Sequence, residues 1–278
     1  MLSFVPTPIG NLEDLSFRAL KRLSDAEVFF CEDTRVTKKL LSLLKERFNA
    51  SFQDNPRFIS LHSHNEDEVL AGLDPAVFDR ACVYVSDAGM PAVSDPGAKL
   101  VLWCQAHRLE YEVLPGANAA LTAYAASGEA GGRFLFYGFL PHKQEARQEA
   151  LKTLLPLPYA VVLYEAPHRI EALLGALGQL APERTVAAFK ELTKKFERSL
   201  IGPAATLLGQ LAGLSNKGEW CVVIFPGGKD RGTNESWLIE ALSDLQAPVK
   251  PLSKILAKLT QENPGEWYRR LQERKGHE

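Results

Sequence analysis

Short runs of β-branched and aromatic residues alternate with helical periodicity through the first 115 residues of the chain. The runs are "LSFVPT", "EVFFC", "RFISL", "ACVYVSD" and "EYEVLP". The segment 16–26 is typical of the helices between them, and Ser16 is expected to be its N-cap. This βαβα alternation predicts a largely parallel sheet with helices on both faces. Ligands of such sheets bind at the carboxyl ends of the strands, so the loops after the strands are the candidate site.

The pattern changes after Pro115, and the change predicts a second α/β unit and a tail. Four further strands are expected at 133–141, 159–167, 184–192 and 220–228, with helices at 143–155, 168–180 and 203–212. A Gly- and charge-rich linker follows at 227–236, and then short helical segments at 237–245, 252–263 and 266–275. The chain is therefore expected to form an N-terminal α/β domain (1–114), a C-terminal α/β domain (115–228), and a linker with a small helical tail (229–278).

Charge and cysteine content set limits on the class of protein. The net charge is −2 and the pI about 6.3, so any nucleic-acid contact requires a local cluster of basic residues. The four cysteines form no CxxC pair, and three of them stand in or beside apolar runs, which predicts buried, reduced thiols. The start has no basic flank, and no apolar run approaches the roughly 18 residues of a membrane span. We expect a soluble, cytoplasmic protein.

The loop in "VYVSDAGMPAVSDPG" (83–97) follows a strand and contains paired Asp, Gly and Pro residues. It matches neither a phosphate-binding loop nor a dinucleotide fingerprint, and the chain carries neither motif elsewhere. No HExxH, no Cys/His ligand set and no G-x-S-x-G motif occurs. His62 and His64 have strand spacing, which is weak evidence for a metal, and we predict none.

Four loops combine small residues with carboxylates: "PTPIGN", "CEDTR", "SDAGMP" and "LPGANAA". Small residues let backbone amides and carbonyls approach a ligand closely. Such loops suit an uncharged planar base and an amino acid moiety better than a pyrophosphate. The alternative is that each is a tight turn with an Asp cap. Four of them on one sheet edge favour a cofactor cleft.

Several motifs together resemble the tetrapyrrole methylase family, and in particular its members that methylate RNA of the small ribosomal subunit. The motifs, in order, are "VPTPIGNLEDLSFRALKRL", "CEDTR", "HNE", "SDAGMPAVSDPG", "LPGANAALTA", "GFLPHK", "LYEAPHR", "KELTKKFE" and "KGE". They run from residue 4 to about residue 225, and the C-terminal helices resemble the family's tail. No single motif is specific, but "TPIGNLEDLSFRAL", "SDAGMPAVSDPG" and "YEAPHR" together are.

The resemblance implies two α/β domains of the tetrapyrrole methylase type with S-adenosylmethionine in the cleft between them, and a homodimer. The residues that it assigns to the donor are Pro8, Ile9, Asp87, Ala88, Gly89, Met90, Val93, Ala117, Asn118, Ala119 and Tyr164. Two positions depart from the family's pattern, because Met90 stands where relatives often carry Thr and Lys190 where they often carry Arg. Neither departure removes a charge.

The reaction implied by the resemblance is methyl transfer to the 2′-hydroxyl of a cytidine in the decoding region of 16S ribosomal RNA. A ribose hydroxyl is a poor nucleophile, so a base or a cation that stabilises the alkoxide is expected nearby. We predict Glu165 and Asp33 as candidate proton acceptors and Arg169 as an RNA contact. The other candidates are Arg35, His168, Glu191 and Lys194. Alternatively, Glu165 and Arg169 form a local pair, Asp33 caps a helix, or the proton is lost to solvent unassisted.

Basic residues gather in the second half of the chain, as phosphate contacts require. They are Arg133, His142, Lys143, Arg147, Lys152, His168, Arg169, Lys190, Lys194, Lys195, Arg198, Lys250, Lys254, Lys258, Arg269, Arg270, Arg274 and Lys275. The alternative is an ordinary solvated face, or helices that dock on the body. Two other functions stay open, namely methylation of a tetrapyrrole precursor and a non-catalytic role as an RNA-binding assembly factor.

Overall fold

A computed structural model describes residues 1–215, 217–227, 248–260 and 262–275. The first half of the chain forms a sheet in the order β3-β2-β4-β1-β5, in which every neighbouring pair is parallel. Its strands are β1 (Leu2–Phe4), β2 (Val28–Cys31), β3 (Arg57–Ser60), β4 (Cys82–Val85) and β5 (Tyr111–Val113). The predicted parallel sheet is therefore confirmed.

Helices cover both faces of this first sheet. They are α1 (Phe17–Asp25), α2 (Thr34–Phe48), α3 (Glu66–Ala71) and α4 (Ala98–Ala106), with short 3₁₀ turns at Leu12–Asp14 and Pro75–Asp79. Side chains along β4 alternate between two cores, since Tyr84 packs with Leu100 of α4 while Val83 packs with Leu23 of α1. Ser16 Oγ accepts a hydrogen bond from Ala19 N at 3.1 Å, which confirms the predicted N-cap.

The second half forms a mixed sheet in the order β6-β7-β10-β8-β9. Its strands are β6 (Phe134–Phe139), β7 (Ala160–Glu165), β8 (Thr185–Lys190), β9 (Arg198–Pro203) and β10 (Trp220–Ile224). Only β6 and β7 pair in parallel. Strand β9 was not predicted, because it is an edge strand that is half exposed and contains Gly202 and Pro203, which are typical of loops.

The helices of the second half are α5 (Ala119–Ser127), α6 (Gln144–Leu154), α7 (Ile170–Leu180) and α8 (Ala204–Leu211). Helices α6, α7 and α8 build the core on one face of the second sheet, and α5 packs on the other face through Ala120 and Ala123. The boundary predicted at residue 115 lies between β5 and α5, and the division into domains stays a prediction.

Two C-terminal helices, α9 (Val249–Thr260) and α10 (Pro264–Lys275), pack against each other. Leu252 and Leu256 meet Trp267 and Leu271, and Trp267 Nε1 donates to Thr260 Oγ1 at 2.8 Å. The predicted helix at 237–245 and most of the predicted linker at 227–236 lie outside the described residues. Across the described ranges, no helix has the length and apolar character needed to cross a membrane.

Candidate active site

A cavity of about 380 Å³ lies where the carboxyl ends of the first sheet's strands face the second sheet. Loops after β1, β2 and β4 form its first wall. The loops after β1 and β4 are joined by a two-residue bridge in which Thr7 N donates to Gly89 O at 2.9 Å and Gly89 N donates to Thr7 O at 3.0 Å. The ends of β6, β7, β8 and β10 supply the second wall. The position agrees with the expectation for parallel sheets.

Most of the residues predicted to hold a donor come together in this cavity. Those that line it are Ile9, Asp87, Ala88, Gly89, Met90, Val93, Asn118, Ala119 and Tyr164. Pro8 and Ala117 do not line it, although each precedes a residue that does. Nine of the eleven residues that the resemblance assigned to the donor thus share one cavity, and their role as ligands stays a prediction.

The loop 86–97 contains four residues with positive φ, two of which are not glycine. Gly89 has φ +85°, and a Cβ placed there lies 3.2 Å from Ile9 Cγ2. Ala92 (φ 65°), Ser94 (φ 63°) and Gly97 (φ 120°) are also in the positive-φ region. Positive φ is uncommon for residues other than glycine and concentrates at functional sites.

Polar groups of α5 are fixed against the cavity by two hydrogen bonds. Asn118 caps the helix, since its Oδ1 accepts from Leu121 N at 3.0 Å. The hydroxyl oxygen of Tyr164 accepts from Ala120 N at 3.2 Å. Burial raises the pKa of Tyr164 to about 12, so the phenol stays neutral. The start of α5 is therefore held in place by β7.

Three carboxylates of the first wall, Glu32, Asp87 and Asp95, form no ion pair among the described residues. Asp87 N donates to Glu32 Oε2 at 3.2 Å, and Asp33 N donates to Asp87 Oδ1 at 3.1 Å. Burial raises the pKa of Glu32 and of Asp87. Burial, and then the charge of Glu32, raise the pKa of Asp95 to about 6. All three line the cavity, with Glu32 and Asp95 half-buried and Asp87 exposed.

The second wall holds its charged groups in pairs. Arg169 Nε lies 3.0 Å from Glu165 Oε1, and both side chains are buried. The guanidinium also donates to Leu140 O at 2.8 Å and to Pro141 O at 3.1 Å. The predicted local pair is thus present, and the burial of Arg169 argues against a direct RNA contact. Glu165 Oε2 is buried with no hydrogen-bond partner within the described part of the chain.

A second paired set stands on the loops after β8 and before β10. Lys194 Nζ lies 2.9 Å from Glu191 Oε1 and 2.7 Å from Glu219 Oε2. All three residues line the cavity. Among the additional candidates, Glu191 and Lys194 are therefore at the site, whereas Arg35 and His168 do not line it.

Asp33 has a structural setting. It caps α2, accepting from Arg35 N at 2.8 Å, and pairs with the Arg35 guanidinium at 2.6 Å. The hydrogen bonds from Arg35 lower the pKa of Asp33 to about 2. A carboxylate of that pKa is a weak base at neutral pH, and Asp33 does not line the cavity.

Sequence reasoning missed several lining residues. They are Glu32, Ser94, Asp95, Phe139, Ala166, Pro167, Phe189, Leu192, Glu219, Trp220 and Cys221. Glu32 and Asp95 stand inside motifs that the sequence marks as candidate ligand loops, although other residues of those motifs were selected. The apolar members stand in or next to strands and have no sequence signal that separates them from core residues.

The remaining candidate groups have ordinary structural settings. His64 N donates to His62 Nδ1 at 3.3 Å. Among the residues that the structure describes, no group of three or more His, Cys, Asp or Glu has a metal-binding arrangement. All four cysteines are free and buried, as predicted.

The fold is of the α/β class, with two β-sheets covered by helices and a ligand-sized cavity at their strand ends. The family described as Tetrapyrrole (Corrin/Porphyrin) Methylases matches residues 1–208, and the chain belongs to this family. It is 44% identical to ribosomal RNA small subunit methyltransferase I of Campylobacter fetus subsp. fetus (strain 82-40), over 98% of this chain and 99% of that protein.

Other relatives agree in length and fold. The protein of the same name from Helicobacter pylori (strain J99 / ATCC 700824) is 43% identical over 99% of both chains. Among solved structures, uroporphyrin-III C-methyltransferase from Thermus thermophilus, complexed with S-adenosyl homocysteine, superposes with a TM-score of 0.54. It is 17% identical and covers 80% of this chain and 96% of its own. At that identity the likeness concerns the fold.

Proposed function

We propose that the protein transfers a methyl group from S-adenosylmethionine to the 2′-hydroxyl of a cytidine ribose in the decoding region of 16S ribosomal RNA. The observation that carries the proposal is the cavity, which is lined by most of the residues that the family resemblance assigns to the donor. Similarity to ribosomal RNA methyltransferases over nearly the whole chain supports an RNA acceptor.

The residues of the cavity fit S-adenosylmethionine. The volume of about 380 Å³ falls in the range of small-molecule sites. Gly89 leaves room beside Ile9 that any side chain would fill, so a ligand can approach the backbone there. When bound, S-adenosylmethionine supplies an electrophilic methyl group on a cationic sulfonium. Glu32 and Asp87, which line the cavity without an ion-pair partner among the described residues, favour a cation over an anion.

The protein's own contribution is binding, orientation and exclusion of water. Ile9, Met90 and Val93 provide apolar contact for a planar base. Asn118 at the start of α5 and Tyr164 of β7 are the polar contacts. Because the sulfonium is already a good leaving group, placing the acceptor in line is the main task. Of the residues predicted to be catalytic, Glu165 lines the cavity, and Arg169 holds it there. Asp33 acts as the cap of α2.

The RNA is proposed to bind exposed basic residues of the second half and of the tail. Arg133, Lys143, Lys195 and Arg198 are exposed, as are Lys250, Lys254, Lys258, Arg269 and Arg270. Arg147, Arg169 and Lys190 are buried, so they do not belong to this surface. Phe196 is 65% exposed next to Lys195, an arrangement suited to stacking with a base.

We also propose a homodimer and a cytoplasmic location. Large apolar side chains are exposed on several helices, including Phe17 at 93% and Leu102 at 63%. Exposed apolar surface of this kind is common at subunit interfaces. Sedimentation equilibrium distinguishes a dimer from a monomer directly.

The test is methyl transfer from tritiated S-adenosylmethionine to small ribosomal subunits whose RNA lacks the modification. Label on one cytidine ribose, mapped by nuclease digestion and mass spectrometry, supports the proposal. Donor binding without label on RNA overturns the RNA reaction and makes a tetrapyrrole precursor the next acceptor to test. Absence of donor binding by calorimetry favours a non-catalytic RNA-binding role.

A further inference from the structure

We propose that the corner of the cavity between Phe139 and Asp95 is the subsite for the acceptor nucleoside. Phe139 stacks against the base, and Asp95 accepts the proton of the ribose 2′-hydroxyl. The inference rests on the proposed RNA methylation and deepens it, because it names the groups that receive the acceptor. Neither residue was among those predicted from the sequence.

A β-bulge directs Phe139 into the cavity. The register between β6 and β7 shifts between Phe136 and Gly138, so that Phe136 pairs with Val162 and Phe139 pairs with Tyr164. Val162 and Tyr164 point to the same face of the sheet, and the bulge therefore places both phenylalanines on that face. The ring centroids of Phe139 and Tyr164 are 5.7 Å apart.

Phe139 is an apolar ring with an open face. It lines the cavity, yet 53% of it is exposed. A phenylalanine gains no stability from such exposure, whereas a planar base stacked on it shields the ring from water. Every base has an aromatic face, so stacking recognises a nucleoside without a hydrogen-bond pattern.

Asp95 and Phe139 both line the cavity and flank a contact between the two walls. A Cβ at Gly138 lies only 3.1 Å from Ser94 Oγ, so the bulge and the loop 86–97 touch. Phe139 follows Gly138 and Asp95 follows Ser94. Gly138 has φ +79° and Ser94 has φ 63°, so both halves of this contact are held in unusual backbone conformations.

Asp95 has the properties of a proton acceptor. It is half-buried, it lines the cavity, and it forms no ion pair among the described residues. The ionisable or polar groups that act on it are Glu32, Asp87, Glu219 and Ser86. The first three are acidic, so the carboxylate gains from taking up a proton. Its pKa of about 6 lies close to a neutral working pH, as general bases require.

In the proposed step the 2′-oxygen forms a bond to the methyl carbon while the sulfur–methyl bond breaks. The electron pair of that bond stays on sulfur, which becomes a neutral thioether. The hydroxyl proton passes to the carboxylate of Asp95 and leaves later to solvent. No oxidant or reductant is required, and the charge lost by the sulfonium equals that of the proton released.

The acidic character of this corner indicates a nucleoside rather than a phosphate as its occupant. Phosphate groups are repelled by carboxylates, so the backbone of the RNA must remain outside, on the basic surface. A nucleoside extruded from its strand presents base and ribose to the cavity while its phosphates stay at the mouth.

The stacking part is tested with Phe139→Ala, with the undermethylated small ribosomal subunit as the acceptor. We expect KM for the subunit to rise about 10-fold, and its Kd by filter binding to rise in parallel. Phe139→Trp keeps a ring and is expected to retain wild-type KM. Tyr137→Ala removes the neighbouring exposed ring, which does not line the cavity, and serves as the control.

The proton-transfer part is tested with Asp95→Asn. We expect kcat to fall about 100-fold or more, with the Kd for S-adenosylmethionine by calorimetry within about threefold. The wild-type kcat/KM profile is expected to fall below about pH 6, and the variant to lack that acid limb. Asp67→Asn, at an exposed carboxylate paired with Lys99, is the matched control.

Several outcomes overturn the proposal. One is a kcat for Asp95→Asn within threefold of wild type, or an unchanged acid limb. Another is an unchanged KM for Phe139→Ala, or a dimer that dissociates in that variant, which would make Phe139 an interface residue. Calorimetric donor binding shows that each variant is folded, and Asp95→Glu is the second variant if Asp95→Asn fails that check. If the wild type itself does not label RNA, the proposed function fails, which is a distinguishable result.

Discussion

The two walls of the cavity differ in whether their acidic side chains are paired with basic ones. On the second wall, Glu165 is neutralised by Arg169, and Lys194 joins Glu191 to Glu219. On the first wall, Glu32, Asp87 and Asp95 have no ion-pair partner among the described residues, and burial raises the pKa of each. The second wall therefore pairs its acidic groups with cations, whereas the first wall leaves its carboxylates without ion pairs to any residue that the structure describes.

The backbone does not separate the two walls. The loop 86–97 carries four residues with positive φ, and the second wall carries four as well, at Gly138, Glu191, Thr193 and Gly218. The difference therefore lies in the charges, since an unpaired charge in a half-buried position lowers stability and proteins tolerate it where function requires it. Breaking an ion pair of the second wall is expected to destabilise the fold, and removal of an unpaired charge from the first wall to stabilise it.

The largest effect is expected for Arg169→Ala. The variant leaves Glu165 as an uncompensated buried charge and removes the donors to Leu140 O and Pro141 O. Breaking a buried pair in this way costs about 3–5 kcal/mol. Urea denaturation followed by circular dichroism measures the loss in unfolding free energy.

A charge-free double variant sharpens this result. Arg169→Met with Glu165→Leu removes both charges and is expected to recover most of the stability lost in the single variant. If Arg169→Ala alone loses less than about 1 kcal/mol, the pair does not stabilise the second wall and the contrast between the walls fails.

Gly89→Ala tests the strained loop of the first wall. Gly89 has φ +85°, and a Cβ would lie 3.2 Å from Ile9 Cγ2. An alanine at positive φ costs about 1–2 kcal/mol, and here the methyl group also reduces the space for a ligand. We expect donor affinity to fall at least about 10-fold, which calorimetry measures.

Gly128→Ala is the matched control. Its φ of +74° is similar, but a Cβ there meets nothing within 4 Å. A similar loss of stability with unchanged donor affinity is expected. Equal donor affinity in both variants would contradict the assignment of Gly89 to the donor site.

Asp95→Asn is expected to raise stability in a pH-dependent manner. The pKa rises from 3.8 to about 6, so wild-type stability due to Asp95 is present below pH 4 and is lost as pH rises through 6. Two pKa units correspond to about 3 kcal/mol, which solvent screening of a half-buried group reduces to about 1–2 kcal/mol. The variant is thus expected to be more stable than wild type at pH 8 and equal to it near pH 4. Equal stability at both pH values would contradict the unpaired-charge description.

Much of the fold followed from the sequence because its signals are local. The five strands of the first sheet and the cap at Ser16 come from alternation and side-chain chemistry within a few residues. Strand β9 was not predicted because an exposed edge strand that contains Gly202 and Pro203 lacks the run of apolar, β-branched residues typical of buried strands. The mixed direction of the second sheet depends on long-range pairing, which local periodicity does not encode.

The site was predictable only in part, for a related reason. Loops with Gly, Pro and Asp after strands identified the first wall, and a family resemblance selected individual donor residues. Phe139 reaches the cavity through a bulge, and Trp220 through the register of β10 against β7. Neither register can be predicted from one segment alone, so most lining residues of the second wall were not predicted from the sequence.

The smallest effect is expected for substitutions of Asp33, which test whether this residue is a helix cap or a catalytic base. Hydrogen bonds from Arg35 lower the pKa of Asp33 to about 2, so any stabilisation it provides persists above pH 4 and is lost only as pH falls through 2. Asn caps helices nearly as well as Asp, so Asp33→Asn should leave the unfolding midpoint and kcat almost unchanged, whereas Asp33→Ala should lower the midpoint measurably. Thermal unfolding and the methyl-transfer assay give both readings. If kcat falls 100-fold in Asp33→Asn while the midpoint is unchanged, then Asp33 rather than Asp95 is the proton acceptor. In that case the start of α2 belongs to the functional part of the first wall.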